Sequence, residues 1–449
     1  MGSIIVPPSG KRSRFFLFIT LILSLVTVAH LGRNVFPAWQ SIKGGEAYSV
    51  AQALAAGEGY SFPAKVRWLF PPIDDGTFHP TAWVDPLYTY CLAALIWVFG
   101  PYHQLAAAIF NLCLLFAALM LTYKLGERLL NPSLGFLAVL ILVSVGFLNT
   151  GVMYNTMLAS VVILASALAL LGYLQSPSIS RASVLGLILG ITALGCPGAQ
   201  FFILVTPLAI VLLRWRERRR SVWQALTVAV IAVVILAPWM IRNHLIFNEF
   251  APVRTGSGQI AFVGVVAVSG TVDPDLVRSV VKPSWSEKNP RSAVKLATEK
   301  EKRRALEKFQ MQYIGEVGPD RLNSMNEVQR DAWFMKETVS FLKEHPFLSM
   351  QLAAAKIEVF VRAMDGRGVL VFAFAVLGGA LSIRHAPVMI LAFWVATYIA
   401  PFTLIICYFN RYRAPIEPLL VIISLFAVHR LATLSRNWMQ PQSEFSADK

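Results

Sequence analysis

The sequence predicts an all-α polytopic membrane protein with a bundle of about 10–12 transmembrane helices. Of its 449 residues, 56% are hydrophobic and only 14% are charged, too few charges to cover a soluble domain of this size. The mean hydropathy is +0.59. Most apolar runs are about 17 to 23 residues long, and at about 1.5 Å per residue such helices span a hydrocarbon core of about 30 Å.

The charge distribution indicates membrane topology and argues against a nucleic-acid partner. The formal net charge is +15, but Lys and Arg cluster beside the apolar spans and do not form one basic face. We therefore expect membrane lipids as partners and no nucleic acid. The four cysteines all fall inside apolar segments, without metal-ligand spacing, so the sequence predicts neither a disulfide framework nor a metal site. They are Cys91, Cys113, Cys196 and Cys407.

The first apolar run, residues 15–31, is interpreted as an uncleaved helix whose N-terminus lies in the cytoplasm. Lys11, Arg12 and Arg14 precede it, and no convincing small-residue cleavage site follows. Residues 32–82 are then expected on the outer side. Nine further runs are predicted as spans: residues 104–123, 133–149, 152–174, 182–195, 199–213, 222–241, 369–383, 387–408 and 415–428.

The run 83–99 decides the topology. The strongest basic loop, Arg214 to Arg220, should be cytoplasmic by the positive-inside rule. It lies outside if residues 83–99 cross the bilayer, and inside if they only dip into it or lie along it. We interpret this run as a dip, which places the N- and C-termini in the cytoplasm and the first loop outside.

The predicted organisation has six parts. Residues 242–364 are expected to form an external subdomain, because the composition becomes polar there. Alternating charges at helical spacing predict a solvated amphipathic helix at 299–308. Charged residues among apolar ones predict an interfacial helix at 347–364. The parts are a cytoplasmic N-terminus and first helix (1–31), a first external loop with the dipping helix (32–103), a helical bundle (104–241), the external subdomain (242–364), C-terminal membrane helices (365–430) and a cytoplasmic tail (431–449).

The first external loop carries the most informative stretch, residues 44–63. Glu46 lies just behind the first span, and a short helix-like run follows it and stops at Gly57-Glu58-Gly59-Tyr60. A carboxylate held at the membrane surface can take a proton from a substrate or bind a cation. It can equally be an acid placed favourably at the N-terminus of that short helix.

Other residues expected on the outer side fit a reaction in which a lipid-linked phosphate leaves and a hydroxyl or amine attacks. Guanidinium groups can grip phosphate oxygens and stabilise a departing lipid phosphate, while a carboxylate removes a proton from the acceptor. Each residue also has a structural alternative: arginines as topology signals, aromatics as interface anchors, Asp85-Pro86 as a helix cap. The candidates are Glu46, Asp85, Arg242, His244, Arg254, Arg411, Arg413, Tyr48, Tyr60, Trp83, Tyr88 and Tyr412.

Four motifs resemble bacterial GT-C glycosyltransferases, most closely the protein O-mannosyltransferase-like family, which is also similar to the aminoarabinose transferases of lipid A. They occur in the family's order along nearly the whole chain. The motifs are Glu46-Ala47-Tyr48 leading to residues 57–62, Pro80 to Tyr88, Ala237 to His244 with Pro252-Val253-Arg254, and Arg411 to Pro418.

The resemblance implies a GT-C-type bundle in the bacterial inner membrane, a polyprenyl-phosphate sugar donor, a periplasmic active site and an acid of the first loop as base. A divalent cation is possible, and no cofactor is otherwise implied. The sequence departs from the family at three positions. Gly45-Glu46 replaces an Asp-Glu pair, Asn155 stands where a further acid is often found, and Asp85-Pro86 replaces Pro-Pro.

We predict a membrane glycosyltransferase that moves a sugar from this donor to an envelope acceptor, whether protein, lipid or glycan. Glu46 and Asp85 are assigned to catalysis. Five basic residues are assigned to the donor phosphate and five aromatic residues to the sugar or lipid. Two alternatives remain: a transporter or flippase of lipid-linked sugars, and an inactive relative that serves as an assembly partner. The basic set is Arg242, Arg254, Arg411, Arg413 and His244; the aromatic set is Tyr48, Tyr60, Trp83, Tyr88 and Tyr412.

Overall fold

The computed structural model describes most of the chain. Predicted helix 299–308, Arg411, Tyr412 and most of predicted helix 347–364 lie outside the described residues. The described residues are 10–37, 45–63, 65–66, 73–74, 76–144, 155–262, 264–265, 322, 324–347, 349–350, 353–354, 366–404 and 413–439.

The described chain is almost entirely helical, which confirms the predicted fold class, and the described part of every predicted span falls on a helix. The helices that carry these spans are α1 Gly10–Val35, α4 His103–Leu129, α5 Pro132–Ser144, α6 Thr156–Gln175, α7 Ile179–Gly195, α8 Phe202–Leu213, α9 Arg218–Phe247, α12 Gly366–Leu381, α13 Ala386–Leu404 and α14 Glu417–Met439. The helices outside this set are α2 Glu46–Ala55, α3 Pro86–Phe99, α10 Ser257–Phe262 and α11 Glu327–Glu344.

Two short antiparallel strand pairs, one nested inside the other, shape the first external loop. Strand β1 (Ser61–Phe62) pairs with β4 (His79–Pro80), and β2 (Lys65–Val66) pairs with β3 (Ile73–Asp74). The sequence did not predict these pairs, because two-residue strands carry no periodic pattern. They bring the start and the end of the loop together beside α2 and α3.

The helices form a multi-pass membrane bundle. Six helical stretches in the described chain are long and apolar enough to cross a bilayer, and one of these, Pro86–Leu129, combines α3 with α4. Four shorter apolar stretches pack with them. The largest hydrophobic core lies between these helices.

A contact between α1 and α4 gives the relative direction of these two helices. The Tyr123 hydroxyl near the end of α4 donates to the carbonyl of Ser13 near the start of α1, at 3.0 Å. The two helices therefore run antiparallel. An antiparallel pair agrees with a dip of α3 between them, and the dip itself stays a prediction.

The start of α9 and the end of α8 lie together with the end of α6. Tyr173 on α6 donates to the Gln224 side chain at 2.8 Å, and Arg214 donates to the same oxygen at 2.7 Å. The opposite end of α9 carries Arg242, which contacts the first external loop. The basic loop and the first external loop therefore lie at opposite ends of the bundle.

Small residues allow close contact between α7 and α9. A Cβ added to Gly186 would lie 2.6 Å from the carbonyl oxygen of Val228, and one added to Gly190 would lie 2.7 Å from Cβ of Ile235. Close backbone approach at small residues is a common way for membrane helices to associate, because lipid gives little hydrophobic drive between them. These two glycines bring α9 close to α7 and so help to place its outer end.

We expect Gly186→Ala to destabilise the protein by about 1–3 kcal/mol, as overpacking of a close-packed interface does. The matched control is Gly172→Ala on α6, where an added Cβ meets nothing within 4 Å. Thermal unfolding of the two purified variants in the same detergent measures the difference. Equal melting temperatures would contradict the described packing of α7 on α9.

Candidate functional site

The site region begins where α2 turns back towards α3. Gly57 and Gly59 have φ angles of +88° and +70°, in the left-handed region that glycine adopts without a steric penalty. This is the turn that the sequence predicted. After it, Tyr60 is buried, and its hydroxyl donates to the carbonyl of Val84 at 3.0 Å. The turn thus fixes the chain beside the start of α3.

Asp85 lies at the N-cap position of α3, but its side chain does not cap that helix. Only 5% of the residue is exposed. The side chain accepts a hydrogen bond from Asn155 Nδ2 and pairs with Arg254 Nη1 at 3.4 Å. Asp85 therefore stands where a helix cap would, but its carboxylate does not act as one. The carboxylate instead joins the start of α3 to the segments of Asn155 and Arg254.

Glu46 stands in the first turn of α2, partly exposed, with one carboxylate oxygen bound by the indole N–H of Trp83 at 3.2 Å. Within the described residues, that hydrogen bond is the side-chain contact of Glu46. Trp83 precedes Asp85 by two residues, so the Trp83 side chain links Glu46 to the segment that carries Asp85. Among the described residues, the other oxygen of Glu46 has no hydrogen-bond partner.

Gly256 packs against the face of Trp83. It has a φ of +87°, and a Cβ placed there would lie 2.6 Å from Cε3 of the indole ring. Glycine is therefore required both by the backbone conformation and by the close approach. This contact joins the loop that carries Arg254 to the side chain that holds Glu46.

Replacing Gly256 by Ala should displace the Trp83 indole and lower the melting temperature. Gly57→Ala is the matched control, because Gly57 has nearly the same φ of +88° but nothing within 4 Å of an added Cβ. The control carries the backbone strain alone, of about 1 kcal/mol. We expect the clash to lower the free energy of unfolding of Gly256→Ala by a further ~1–3 kcal/mol. The same change should shift the tryptophan emission. Thermal unfolding and fluorescence of both variants check this, and indistinguishable results would contradict the contact.

Arg242 is held in place by the first external loop. Its Nη1 donates to the carbonyl of Thr81 at 2.7 Å and to the side chain of Asn243 at 2.9 Å, and its Nη2 donates to the carbonyl of Tyr60 at 2.9 Å. The rings of Tyr60 and Trp239 lie 5.2 and 4.8 Å from the guanidinium. Of the five guanidinium N–H groups, two then remain without an acceptor among the described residues.

Tyr60 packs against the aromatic residues around Arg242. Its ring lies 4.8 Å from that of Trp239 in an edge-on arrangement and 5.6 Å from that of Tyr90. Burial raises the pKa of Tyr60 well above its usual range, so its hydroxyl stays protonated and donates. The rings of Tyr60 and Trp239 thus pack around the Arg242 guanidinium near the end of α9.

Two of the aromatic candidates are engaged in packing between helices. The Tyr48 hydroxyl is hydrogen-bonded to His103, with the rings stacked 5.7 Å apart. Tyr88 is fully buried, and its hydroxyl exchanges hydrogen bonds with Asn111 of α4 at 3.0 and 3.2 Å. These contacts attach α2 and α3 to α4 and give neither residue a described contact with Asp85.

The remaining basic candidates differ in their surroundings. His244 is exposed on α9. Arg413 is largely buried, and its Nε donates to Glu417 at 2.5 Å. The short turn Ala414–Ile416 that follows packs against α6, the helix that begins beside Asn155. Arg413 is therefore attached to the same bundle element as the partner of Asp85, whereas Arg411 and Tyr412 lie outside the described residues.

Two partly buried acidic residues near the site were not predicted. Glu327 accepts hydrogen bonds from Thr81 and Ala82 of the first loop and from Thr255. Asp331 accepts from the backbone N–H groups of Gly258 and Gln259 at 2.7 and 3.0 Å. Burial raises the pKa of both carboxyl groups.

The sequence signal near these acids indicated only a helix start. Asn326 caps α11, and its side chain and that of Gln329 exchange hydrogen bonds with the backbone as a capping box. An acid in the first turn fits such a helix start without any further role. Nothing in the local sequence indicated that the Glu327 side chain reaches the first external loop.

No metal-binding cluster forms within the part of the chain that the structure describes: no group of three His, Cys, Asp or Glu side chains there could hold an ion. The Asp85 carboxylate is surrounded by an amide and a guanidinium. These two donors stabilise the buried negative charge of Asp85.

Comparisons with known proteins identify the fold. No family model matches the sequence, and no curated protein matches it. The chain is similar in structure to the oligosaccharyltransferase of Archaeoglobus fulgidus with a tethered acceptor peptide containing the NVT sequon. That match has a TM-score of 0.53 and 12% identity, and it covers 94% of this chain and 50% of the other.

Two further structures of this archaeal protein also match. The complex of AglB with an inhibitory peptide and a dolichol-phosphate has a TM-score of 0.51 and 11% identity over 97% of this chain and 52% of that one. The apo form has a TM-score of 0.50 and 14% identity over 94% and 51%. The chain shares the fold of these archaeal oligosaccharyltransferases. It spans about half the length of these archaeal chains.

Proposed function

We propose that this protein is a membrane glycosyltransferase that transfers a sugar from a polyprenyl-phosphate-linked donor to an acceptor at the extracytoplasmic face. The observation that carries the proposal is the convergence of Glu46, Asp85, Arg242 and Arg254 around the first external loop, in a fold shared with oligosaccharyltransferases. The complex of the archaeal protein with dolichol-phosphate and a peptide supports a lipid-phosphate donor.

The orientation follows from the distribution of positive charge. Lys11, Arg12 and Arg14 lie at the start of α1, and the basic loop from Arg214 lies at the start of α9. Both lie at the end of the bundle opposite the candidate site. By the positive-inside rule that end faces the cytoplasm, and the candidate site then faces outward, to the periplasm in the bacterial inner membrane.

The proposed reaction is a substitution at the anomeric carbon of the donor sugar. A nucleophilic atom of the acceptor forms the new bond to that carbon, and the bond from the carbon to the phosphate oxygen breaks. The bonding electron pair leaves with the polyprenyl phosphate, and the acceptor proton passes to a carboxylate and then to water. The protein must therefore supply one base and a positive site for the departing phosphate.

Glu46 suits the base because it is partly exposed and only one of its oxygens is hydrogen-bonded among the described residues. Asp85 has both oxygens engaged, by Asn155 and by Arg254, so we assign it to holding Arg254 in position. Arg242, with two remaining N–H groups, contributes to the phosphate site. We propose that Arg413 and Arg411 also belong to this phosphate site and that His244 lies at its edge.

A reconstituted system tests the proposal against the transport alternative. Purified protein in liposomes is given a polyprenyl-phosphate sugar and an envelope extract as acceptor, and the lipids are analysed by mass spectrometry. Transfer predicts free polyprenyl phosphate together with a glycosylated acceptor. Movement of intact donor across the bilayer, without release of polyprenyl phosphate, would show a transporter instead.

A further inference from the structure

The carboxylate of Glu327 joins the two segments that carry Asp85 and Arg254. Oε2 accepts from the Thr81 hydroxyl at 2.7 Å, and Oε1 accepts from the Ala82 N–H at 2.8 Å and from the Thr255 hydroxyl. The Thr255 N–H in turn donates to the carbonyl of Ala82 at 3.0 Å. Glu327, Ala82 and Thr255 thus form a closed ring of hydrogen bonds.

This ring lies directly beside the candidate site. Ala82 precedes Asp85 by three residues, and Thr255 follows Arg254 directly. The Asp85–Arg254 pair is itself long, at 3.4 Å, so its geometry depends on how the two segments are held. A shift of the ring would therefore change the spacing between the Asp85 carboxylate and the Arg254 guanidinium.

The role of a helix cap does not account for these contacts. Asn326 and Gln329 already satisfy the N-terminus of α11, and the Glu327 side chain bonds to other segments. Burying a carboxylate is unfavourable unless donors surround it, and here three donors from two segments do so. A neutral side chain could fill the space, but it could not accept all three hydrogen bonds.

We propose that Glu327 is a positioning residue for the transfer reaction, which sets the register of the first external loop against the segment 251–256 and so the geometry of the Asp85–Arg254 pair. This inference rests on the proposed function. It assigns to α11 a part in the reaction without contact between Glu327 and the substrate. It also predicts that the effect of Glu327 is transmitted through Arg254.

The first test compares Glu327→Ala with Glu327→Gln in the donor-consumption assay, using the full chain. We expect Glu327→Ala to lower turnover about 100-fold, as displacement of reacting groups by about 1 Å can do. Glutamine can still accept from Ala82 and Thr255 through its oxygen, so Glu327→Gln should stay within about fivefold of the wild type. Thr338→Ala, a buried change on the same helix, is the control for stability and should keep its turnover at assay temperature.

A double-mutant cycle separates positioning from a general loss of structure. In a chain that already carries Arg254→Ala, adding Glu327→Ala should lower turnover by less than about twofold, because coupled residues are not additive. A full additional loss, or unchanged turnover in Glu327→Ala alone, would overturn the inference. If Glu327→Ala does not fold, Thr255→Val replaces it in the cycle. This variant removes the hydroxyl that donates to Glu327 and keeps the backbone hydrogen bond from residue 255 to the carbonyl of Ala82. An inactive wild type would instead count against the proposed function.

Discussion

Glu46→Gln is expected to lower donor turnover by about 10²–10⁴-fold, the usual contribution of a general base. The amide keeps an oxygen for the Trp83 N–H, which the structure places 3.2 Å from the carboxylate, so the loop should stay in place. What is lost is the ability to accept the proton of the attacking group. Turnover is measured as release of polyprenyl phosphate from a polyprenyl-phosphate sugar.

The control for this variant is Glu58→Gln, a change of the same kind in the same loop. Glu58 is exposed in the turn after α2, and its described hydrogen bonds are made by the backbone. We expect it to retain wild-type turnover. Turnover within about threefold of wild type for Glu46→Gln would remove this residue from the base role, since general-base catalysis contributes far more than that.

Asp85→Asn is expected to reduce both turnover and stability. The substitution keeps the size of the side chain but leaves the Arg254 guanidinium, whose side chain is 20% exposed, without its carboxylate partner. Loss of a hydrogen bond to a charged group costs about 1.5–3 kcal/mol, and the same amount in activation free energy corresponds to about 10–150-fold in rate. Thermal unfolding and the donor-release assay measure the two effects.

Asn155→Ala is the matched comparison for Asp85→Asn. It removes one donor to the Asp85 carboxylate and leaves the ion pair with Arg254 intact. We expect a smaller loss of turnover, of about tenfold or less. If Asn155→Ala were as damaging as Asp85→Asn, the ion pair would not be the decisive contact of Asp85.

The sequence predicted the membrane helices well because hydropathy and length are local properties. The described part of each of the ten predicted spans lies on a helix, and the short helix from Glu46 and the turn at Gly57 and Gly59 occur where expected. The dip of residues 83–99 was deduced from charge parity alone. The antiparallel contact between α1 and α4 agrees with it.

The orientation of side chains was the part that sequence reasoning could not supply. Tyr48 and Tyr88 were predicted to contact the sugar or lipid because they are aromatic. In the structure their hydroxyls form hydrogen bonds with His103 and Asn111 between helices. Glu327 lies 246 positions from its partner Thr81, and its local pattern indicates only the start of a helix. Contacts of this range depend on tertiary packing, which no local pattern reports.

Impermeant thiol labelling on intact cells tests the central claim most directly, namely that the residues around Glu46 and Asp85 form one site on the extracytoplasmic face. Single cysteines are placed at exposed positions by Glu58→Cys, beside the site, and by Arg219→Cys, in the basic loop, in a chain whose four native cysteines are replaced. We expect position 58 to be labelled on intact cells and position 219 only after permeabilisation. The reverse pattern would place the candidate site in the cytoplasm and contradict the account.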